Sequence, residues 1–303
     1  MYPTEWRLNI ETVGQLAQLL GYSKRYLLSL AARTQYLYRE KPIAGRTLSI
    51  PAENLKNVQR TILHKLFHIE FPHYVHGGIQ GRSIITNALP HRQKGWVSCL
   101  DIKKFFPSTH FKKVRHFYEE LGCHNNVADC LTRLTTYDYQ LPQGAPTSPV
   151  LANMILWPVD QRIFKLCKAR GYTYTRFFDD MTISGTRNPN RLFGNTSSIL
   201  KNNGYELNMH KRTERREQAK TSEQIVCGIK VNDKNLDISA EMLKRIKRSL
   251  GIYGQGNFDE EYRANPAKTM ESLRSLIDYI KSINTKTAQP LLTQLHAIEW
   301  PHS

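Results

Sequence analysis

Apolar residues recur at helical spacing in three long segments of the chain, which predicts amphipathic helices there. Residues 9–40 carry one such pattern, residues 53–69 a second, and the segment from Ala240 a third. In the second segment one face holds four apolar residues: Leu55, Val58, Ile62 and Leu66. In the third, Met242, Ile246 and Leu250 form the apolar stripe. Basic residues lie off these stripes, so each helix is expected to bury one face only.

Short runs of β-branched and aromatic residues predict strands between the helices. The run "WVSCLD" ends at Asp101, and the chain is expected to break at Pro107, before a helix over residues 110–121. The stretch "TYTRFFDDMTIS" predicts a hairpin with Asp179 and Asp180 at its turn. A further hairpin is expected over residues 224–239.

A Pro/Gly loop, "LPQGAPTSP", precedes a predicted long helix that begins after Ser148. Thr147 or Ser148 is a plausible N-cap, and Pro149 suits the first helical position. Strands and helices alternate without a regular βαβ rhythm. The fold class is therefore predicted as α+β with an antiparallel sheet.

The net charge of the chain indicates which class of partner it binds. With 43 basic and 26 acidic residues, the net charge is +17, which favours a polyanion, nucleic acid before an anionic membrane surface. No apolar run approaches the roughly 18 residues of a spanning helix, and the N-terminus lacks the form of a signal peptide. The five cysteines match no zinc spacing, so a reducing cytoplasm is the expected setting.

Three aspartates are the candidates for chemistry. If the strand ending at Asp101 pairs with the hairpin, Asp101, Asp179 and Asp180 meet at one sheet edge, where like charges repel unless cations neutralise them. Two Mg²⁺ ions, about 3.5–4 Å apart, would do so and create a phosphoryl-transfer site. Taken alone, the hairpin pair has a simpler interpretation as solvated turn carboxylates.

Four ordered blocks resemble the successive palm motifs of reverse transcriptases: "LDIKKFFPS", "LPQGAPTSPVLAN", "RFFDDMTIS" and "GYELNMHKR". Two more segments resemble the retron branch of that family. "NALPH" resembles its Asn-Ala-x-x-His element, and "IVCGIKVN" resembles its Val-Thr-Gly stretch with Cys227 in place of Thr. The resemblance covers roughly residues 40–235 and implies a right-hand polymerase fold of fingers, palm and helical thumb.

The resemblance implies roles for the acidic site. Asp101 and Asp180 would be the principal metal ligands, Asp179 would be the second member of the hairpin pair, and the backbone carbonyl of Ile102 would be a further ligand. Phe106 would be a steric gate that excludes a ribose 2′-hydroxyl, although packing beside Phe105 is the alternative.

Further residues would bind the incoming nucleotide by the same resemblance. They are Gln143, Ala145 with Pro146, Arg82 and Lys211. The assignment of Lys211 could slip to His210 or Arg212, and Lys41 and Arg46 are alternatives to Arg82 for clamping the triphosphate. A solvated surface role is equally open for these arginines and for Lys41.

Nucleic acid contacts are also implied. Asn87 and His91 would hold a loop or contact RNA, and four basic residues of the C-terminal helix would grip phosphates: Lys244, Arg245, Lys247 and Arg248. Phe178 stands where the family usually has a smaller residue beside the primer end. Replacing it with Ala is expected to alter processivity or product length while polymerisation persists.

The implied division is fingers over 1–94, palm over 95–235 with a helical insertion at 110–140, and thumb over 236–303. The resemblance implies a retron enzyme that uses dNTPs, extends a guanosine 2′-hydroxyl of a structured noncoding RNA, relies on host RNase H and acts with an effector protein in antiphage defence. The alternatives are a diversity-generating or abortive-infection reverse transcriptase and a non-catalytic RNA-binding scaffold.

Overall fold

The computed structural model describes residues 2–43, 46–67, 69–209, 217–257 and 265–300. Its N-terminal part is helical but not continuous. Helices α1 (Val13–Leu20) and α2 (Lys24–Arg33) are separated at Gly21, whose φ of 75° lies in the left-handed region that ends helices. A short 3₁₀ turn at Thr34–Tyr36 then ends the helical region.

The predicted helical segment 9–40 is therefore too long at its C-terminal end. Strand β1 (Tyr38–Ile43) starts inside it and pairs antiparallel with β2 (Arg46–Pro51). The β1–β2 hairpin leads into helix α3 (Glu53–Leu66). The predicted apolar stripe of α3 is confirmed, because Leu55, Val58, Ile62 and Leu66 are all buried.

The middle of the chain alternates strands and helices. In order these are α4 (Ile84–Ala88), β3 (Trp96–Asp101), α5 (Phe105–Ser108), α6 (Phe111–Glu120), α7 (Asn125–Thr135), α8 (Ser148–Ala169), β4 (Thr173–Phe177), β5 (Asp180–Gly185), α9 (Asn190–Lys201) and β6 (Glu217–Ala219). Pro107 does not end regular structure as expected: it lies inside the short helix α5, which follows a left-handed Lys104. Pro149 does stand at the start of α8, after Thr147.

One four-stranded antiparallel sheet organises this region, with the strand order β4-β5-β3-β6. Its buried residues share a large apolar core with α1, α3, α6, α7 and α8. The α+β class predicted from the sequence is confirmed. Both faces of β3 are covered, because Leu100 packs in the main core and Val97, on the other face, packs in a smaller apolar cluster with Val226 and Ile229.

The C-terminal part has an apolar core of its own. In the chain, this C-terminal part comes after a three-stranded antiparallel sheet of β7 (Ile225–Val226), β8 (Ile229–Lys230) and β9 (Asp237–Ile238). The helices are α10 (Ala240–Gly254), α11 (Pro266–Ile283) and α12 (Thr285–His296). Their buried residues form a cluster distinct from the main core. The division into 1–94, 95–235 and 236–303 stays a prediction.

Among the described residues, no helix is both long and apolar enough to cross a bilayer.

Candidate active site

Strand pairing brings the first two predicted carboxylates together. Strands β3 and β5 are antiparallel, and their register sets Asp101 directly opposite Asp180. Side chains at directly opposite positions share one face of a sheet, with Cβ atoms about 4.5–5.5 Å apart. Asp101 is only 9% exposed, since β3 runs through the middle of the sheet. The convergence predicted from the sequence therefore holds for this pair.

The third carboxylate lies in the turn between β4 and β5. Phe177 pairs with Asp180, so the loop consists of Phe178 and Asp179. The backbone N–H of Ile102 donates to the carbonyl of Asp179 at 2.9 Å, which ties the turn to the end of β3. The Ile102 carbonyl as a metal ligand, which the family resemblance implies, stays a prediction.

The donor chemistry suits a hard divalent cation. Carboxylate and backbone carbonyl oxygens are the ligands that Mg²⁺ prefers. In the part of the chain that the structure describes, no three acidic, histidine or cysteine side chains approach closely enough to form a metal-binding group. What the structure supports directly is the cross-strand pair Asp101 and Asp180, with Asp179 next to it in the turn.

A buried ion pair that the sequence analysis missed holds this turn. Arg176 and Asp160 are both fully buried, and Arg176 Nη2 lies 2.6 Å from Asp160 Oδ2. Arg176 Nε also donates to both carboxylate oxygens, at 2.9 and 3.0 Å. Its Nη1 donates to the carbonyl oxygen of Phe178 at 2.8 Å. The guanidinium thus fixes the residue that precedes Asp179.

The same network reaches a second loop. Arg176 Nη1 donates to Asn153 Oδ1 at 3.0 Å, and Asn153 Nδ2 donates to the Gly77 carbonyl at 2.8 Å. Tyr174 donates its hydroxyl to Asp160 Oδ1 at 2.7 Å. The alternation of side chains along β4 could have indicated this ion pair. Arg176 lies two residues after Tyr174, on the same inward-facing side of the strand, where a buried charge requires a partner.

Phe178 packs on a glycine pair. A Cβ added to Gly77 would lie 2.4 Å from the backbone nitrogen of Phe178, and one added to Gly78 would lie 2.9 Å from its ring. The ring centroid lies 6.0 Å from that of Phe106. Glycines at 77 and 78 therefore leave the space that a large side chain at 178 needs. A direct contact of Phe178 with nucleic acid stays a prediction.

The backbone of Phe178 is unusual for an aromatic residue. Its φ is 53°, while Asp179 does not have a positive φ. A positive φ at only the first of two loop residues is the pattern of a type II′ turn, where Gly is preferred. Such strain is typical of functional sites and persists because surrounding contacts enforce it. Here the packing on Gly77 and the bond from Arg176 supply those contacts.

The loop predicted to line the nucleotide pocket is docked on strand β2. The backbone N–H of Ser49 donates to the Gln143 carbonyl at 2.7 Å. Gly144 lies against Ser49 and Leu48 with a φ of 124°. Ala145 is buried and Gln143 half-buried. Their roles toward a nucleotide stay predictions.

Arg82 does not have the free guanidinium expected of a triphosphate clamp. It donates to the Phe71 carbonyl at 2.7 Å and also to the carbonyls of Pro72 and Val75. These bonds make it the residue that shapes the 71–75 loop. A phosphate contact by Arg82 stays a prediction.

Asn87 and His91 are buried rather than exposed to RNA. Both have 0% exposure. His91 hydrogen-bonds Ser184 at 2.6 Å through Nδ1 and Thr175 at 2.8 Å through Nε2, and burial lowers its pKa to about 3. Asn87 donates to the Cys227 sulfur at 3.4 Å. Of the two alternatives offered for this pair, the contacts favour the one in which it holds a loop, because both side chains fasten α4 and the segment after it.

The remaining basic candidates divide into two groups. The four residues of α10 project into solvent: Lys244, Arg245, Lys247 and Arg248. Lys211, with its neighbours His210 and Arg212, lies outside the described residues, as does the side chain of Arg46. Lys41 is exposed on β1.

Comparison with known proteins agrees with this arrangement. Residues 39–225 match the family model described as reverse transcriptase (RNA-dependent DNA polymerase). The chain is 33% identical to the retron Mx65 reverse transcriptase of Myxococcus xanthus, over 94% of this chain and 70% of that protein. It is 30% identical to the retron Ec86 reverse transcriptase of Escherichia coli, over 84% of this chain and 77% of that protein.

A solved structure of telomerase from Candida albicans in complex with a fragment of telomeric RNA aligns with a TM-score of 0.48 at 12% identity, covering 84% of this chain and 54% of that one. The family assignment rests on the sequence matches, and the family-model match over residues 39–225 includes the paired aspartates and the hairpin turn. The chain belongs to the retron reverse transcriptases, a branch of the RNA-directed DNA polymerases.

Proposed function

We propose that the paired aspartates are the catalytic centre for DNA synthesis on an RNA template. The observation that carries this proposal is the register of β3 and β5, which sets Asp101 opposite Asp180 beside the turn residue Asp179. A central strand and a hairpin turn fix these positions with backbone bonds. Holding like charges this close is costly, so the arrangement favours a cation-dependent role over a structural one.

Two Mg²⁺ ions are the proposed cofactor. Asp101, Asp179 and Asp180, with the carbonyl oxygen of Ile102, would hold them. When bound, such ions activate a hydroxyl nucleophile and neutralise charge that develops on a triphosphate. Arg176 keeps the turn in place, which preserves the separation of the carboxylates.

The nucleotide pocket is proposed to lie between β3, the Gln143 loop and the hairpin turn. Phe106 would select deoxynucleotides by blocking a ribose 2′-hydroxyl, and Gln143 and Ala145 would line the sugar. The ring of Phe178, 6.0 Å from that of Phe106, would restrict movement of the gate. Lys211 is proposed to lie near the leaving pyrophosphate.

The C-terminal helices are proposed to hold the template and product by their phosphates. The four exposed basic residues of α10 supply positive charge on the side away from its apolar stripe. Because phosphate contacts carry no sequence information, recognition of a structured RNA would rest largely on its shape.

As a retron enzyme, the protein is proposed to extend a guanosine 2′-hydroxyl of a structured noncoding RNA and to make branched RNA-linked DNA. The further proposals are reliance on host RNase H and action with an effector protein in antiphage defence. Their support is the similarity to retron reverse transcriptases.

Incorporation of dTTP on poly(rA) primed with oligo(dT) tests the catalytic proposal. The wild type is expected to be active with Mg²⁺ and inactive with EDTA, and Asp179→Asn with Asp180→Asn is expected to abolish incorporation. Asp138→Asn with Asp233→Asn is the matched control, because it removes the same charge from turns elsewhere. Normal incorporation by the first double variant would refute the site.

Sequencing of the nucleic acid that co-purifies with the protein tests the retron proposal. A 2′,5′ branch at a guanosine is expected. Linear DNA of untemplated sequence would instead indicate an abortive-infection type, and DNA copied from a variable coding repeat would indicate a diversity-generating type.

A further inference from the structure

A basic cavity lies at the end of the β4–β5 hairpin that is farthest from the aspartates. It has a volume of about 850 Å³ and is lined by the turn before β4 and the segment after β5. Five strand steps separate Tyr172, at this cavity, from Phe177, which is about 17 Å at the rise of a β-strand. The cavity is thus distinct from the catalytic turn.

Three arginines line this cavity. Arg170 follows α8, Arg187 follows β5, and Arg191 stands in the first turn of α9. Two chain segments that are separate in sequence, residues 170–172 and residues 186–192, therefore bring three arginines to one cavity. The cavity volume falls within the range of about 300–1,000 Å³ that is usual for ligand sites.

These arginines differ from others on the surface in their pairing. Arg60, Arg115 and Arg133 each form a salt bridge with an acidic neighbour. By contrast, no carboxylate of the described residues lies within 4.0 Å of the Arg170, Arg187 or Arg191 guanidinium groups.

The wall of the cavity is held by hydrogen bonds of Asn188. Glu217 accepts a hydrogen bond at 3.0 Å from Asn188, which is a lining residue. Tyr172 donates its hydroxyl to the Asn188 carbonyl at 3.2 Å, so this wall is held by internal bonds. One carboxylate thus lies behind this wall, against three arginines that line the cavity.

We infer that this cavity binds the phosphodiester backbone of a single-stranded nucleic acid outside the catalytic cleft. Guanidinium groups match phosphate oxygens with paired N–H donors, and three of them in one groove span more than one phosphate. Tyr172 lines the same cavity and offers an aromatic surface for a base. The choice of nucleic acid as the ligand rests on the proposed function, whereas the arginine cluster is observed independently of it.

Binding of a labelled mixed-sequence single-stranded RNA at several salt concentrations tests the inference, with a DNA strand of the same sequence as a second arm. The test variant is Arg170→Ala with Arg187→Ala and Arg191→Ala. The control is Arg25→Ala with Lys112→Ala and Lys201→Ala, which removes the same charge from scattered exposed positions. Arg→Lys at the three cavity positions keeps the charge. Thermal melting confirms that each variant is folded.

Three lost phosphate contacts lower the slope of log K against log salt by about 2 for a single strand. The wild type is then expected to lose roughly 20-fold more affinity than the test variant between about 50 and 200 mM salt, a difference that the control should not reproduce. The Lys variant should keep the wild-type slope.

The RNA and DNA arms identify which strand occupies the cavity, and a lowered slope with either supports the inference. Equal slopes for the wild type and the test variant would overturn it. So would a slope change of the same size in the control. Incorporation of dTTP by the wild type is measured in parallel, so failure of the polymerase proposal is recognised separately.

Discussion

Removal of the Arg176 guanidinium tests how the β4–β5 turn, the proposed catalytic turn, is held. In Arg176→Met, the Asp160 carboxylate stays fully buried without its cation, and the Phe178 carbonyl loses the donor at 2.8 Å. Asn153 loses the donor to its Oδ1 as well. The change affects stability through the buried charge and activity through the turn.

The cost follows from the burial of both partners. Removing one partner of a buried ion pair costs about 3–5 kcal/mol, because the remaining charge is left uncompensated. A protein of this class has about 5–15 kcal/mol of stability in total, so the single variant should unfold at clearly lower urea concentration. Arg176 and Asp160 at 0% exposure leave no water to compensate.

A double variant separates the two effects. In Arg176→Met with Asp160→Asn, no net charge is buried, and the Asn oxygen can still accept the Tyr174 hydroxyl. Stability should return to within about 1–2 kcal/mol of the wild type. The Phe178 carbonyl still lacks its donor, so incorporation of dTTP should stay reduced and the Mg²⁺ concentration for half-maximal activity should stay raised.

Urea unfolding measures the first effect and a Mg²⁺ titration of the incorporation rate measures the second. A loss of less than about 1 kcal/mol in Arg176→Met would refute the buried-pair argument. A double variant with wild-type activity and wild-type Mg²⁺ dependence would refute the claim that Arg176 positions the turn.

Three further outcomes are expected. Because burial lowers the pKa of His91 from 6.5 to about 3, the unfolded chain binds a proton that the folded chain does not, and stability should fall as the pH falls from 6.5 toward 3. His91→Gln should flatten that slope by about 1.4 kcal/mol per pH unit in urea unfolding between pH 6 and 5, and an unchanged slope would contradict this. Gly77→Ala should destabilise the protein by about 1–3 kcal/mol because its Cβ meets the Phe178 backbone, whereas Gly251→Ala, in open space on α10, should stabilise it by about 1 kcal/mol; equal effects would refute the packing argument. Phe106→Ala should raise the ratio of ribonucleotide to deoxynucleotide incorporation by about 10–200-fold, and an unchanged ratio would favour core packing beside Phe105.

The sequence by itself indicated most of the helices and strands and the three candidate aspartates. Helix α3 could be predicted because its apolar residues recur at helical spacing. Strand β3 and the β4–β5 hairpin could be predicted because their apolar runs end at aspartates. These signals are local, so a pattern of a few residues carries them. The ordered motifs then indicated the family, which the comparisons confirm.

Tertiary structure decided which polar residues face the solvent and which hold the core. The sequence offered Arg82 as a phosphate contact, and it left open whether Asn87 and His91 hold a loop or contact RNA. The fold bonds Arg82 to loop carbonyls and buries the other two, which favours the loop-holding role for that pair. The same type of polar side chain can bind a ligand or hold the fold together, so the residue type alone does not tell these two roles apart.

Only the tertiary structure joined residues that are far apart in the chain. Asp160 and Arg176 pair across a helix and a strand, and Gly77 makes room for Phe178 a hundred residues later. Phe178, which is larger than the residue usual at this position in the family, is accommodated because its ring packs on Gly77 and Gly78. Such contacts depend on which surfaces the folded chain brings together, and no local periodicity encodes them.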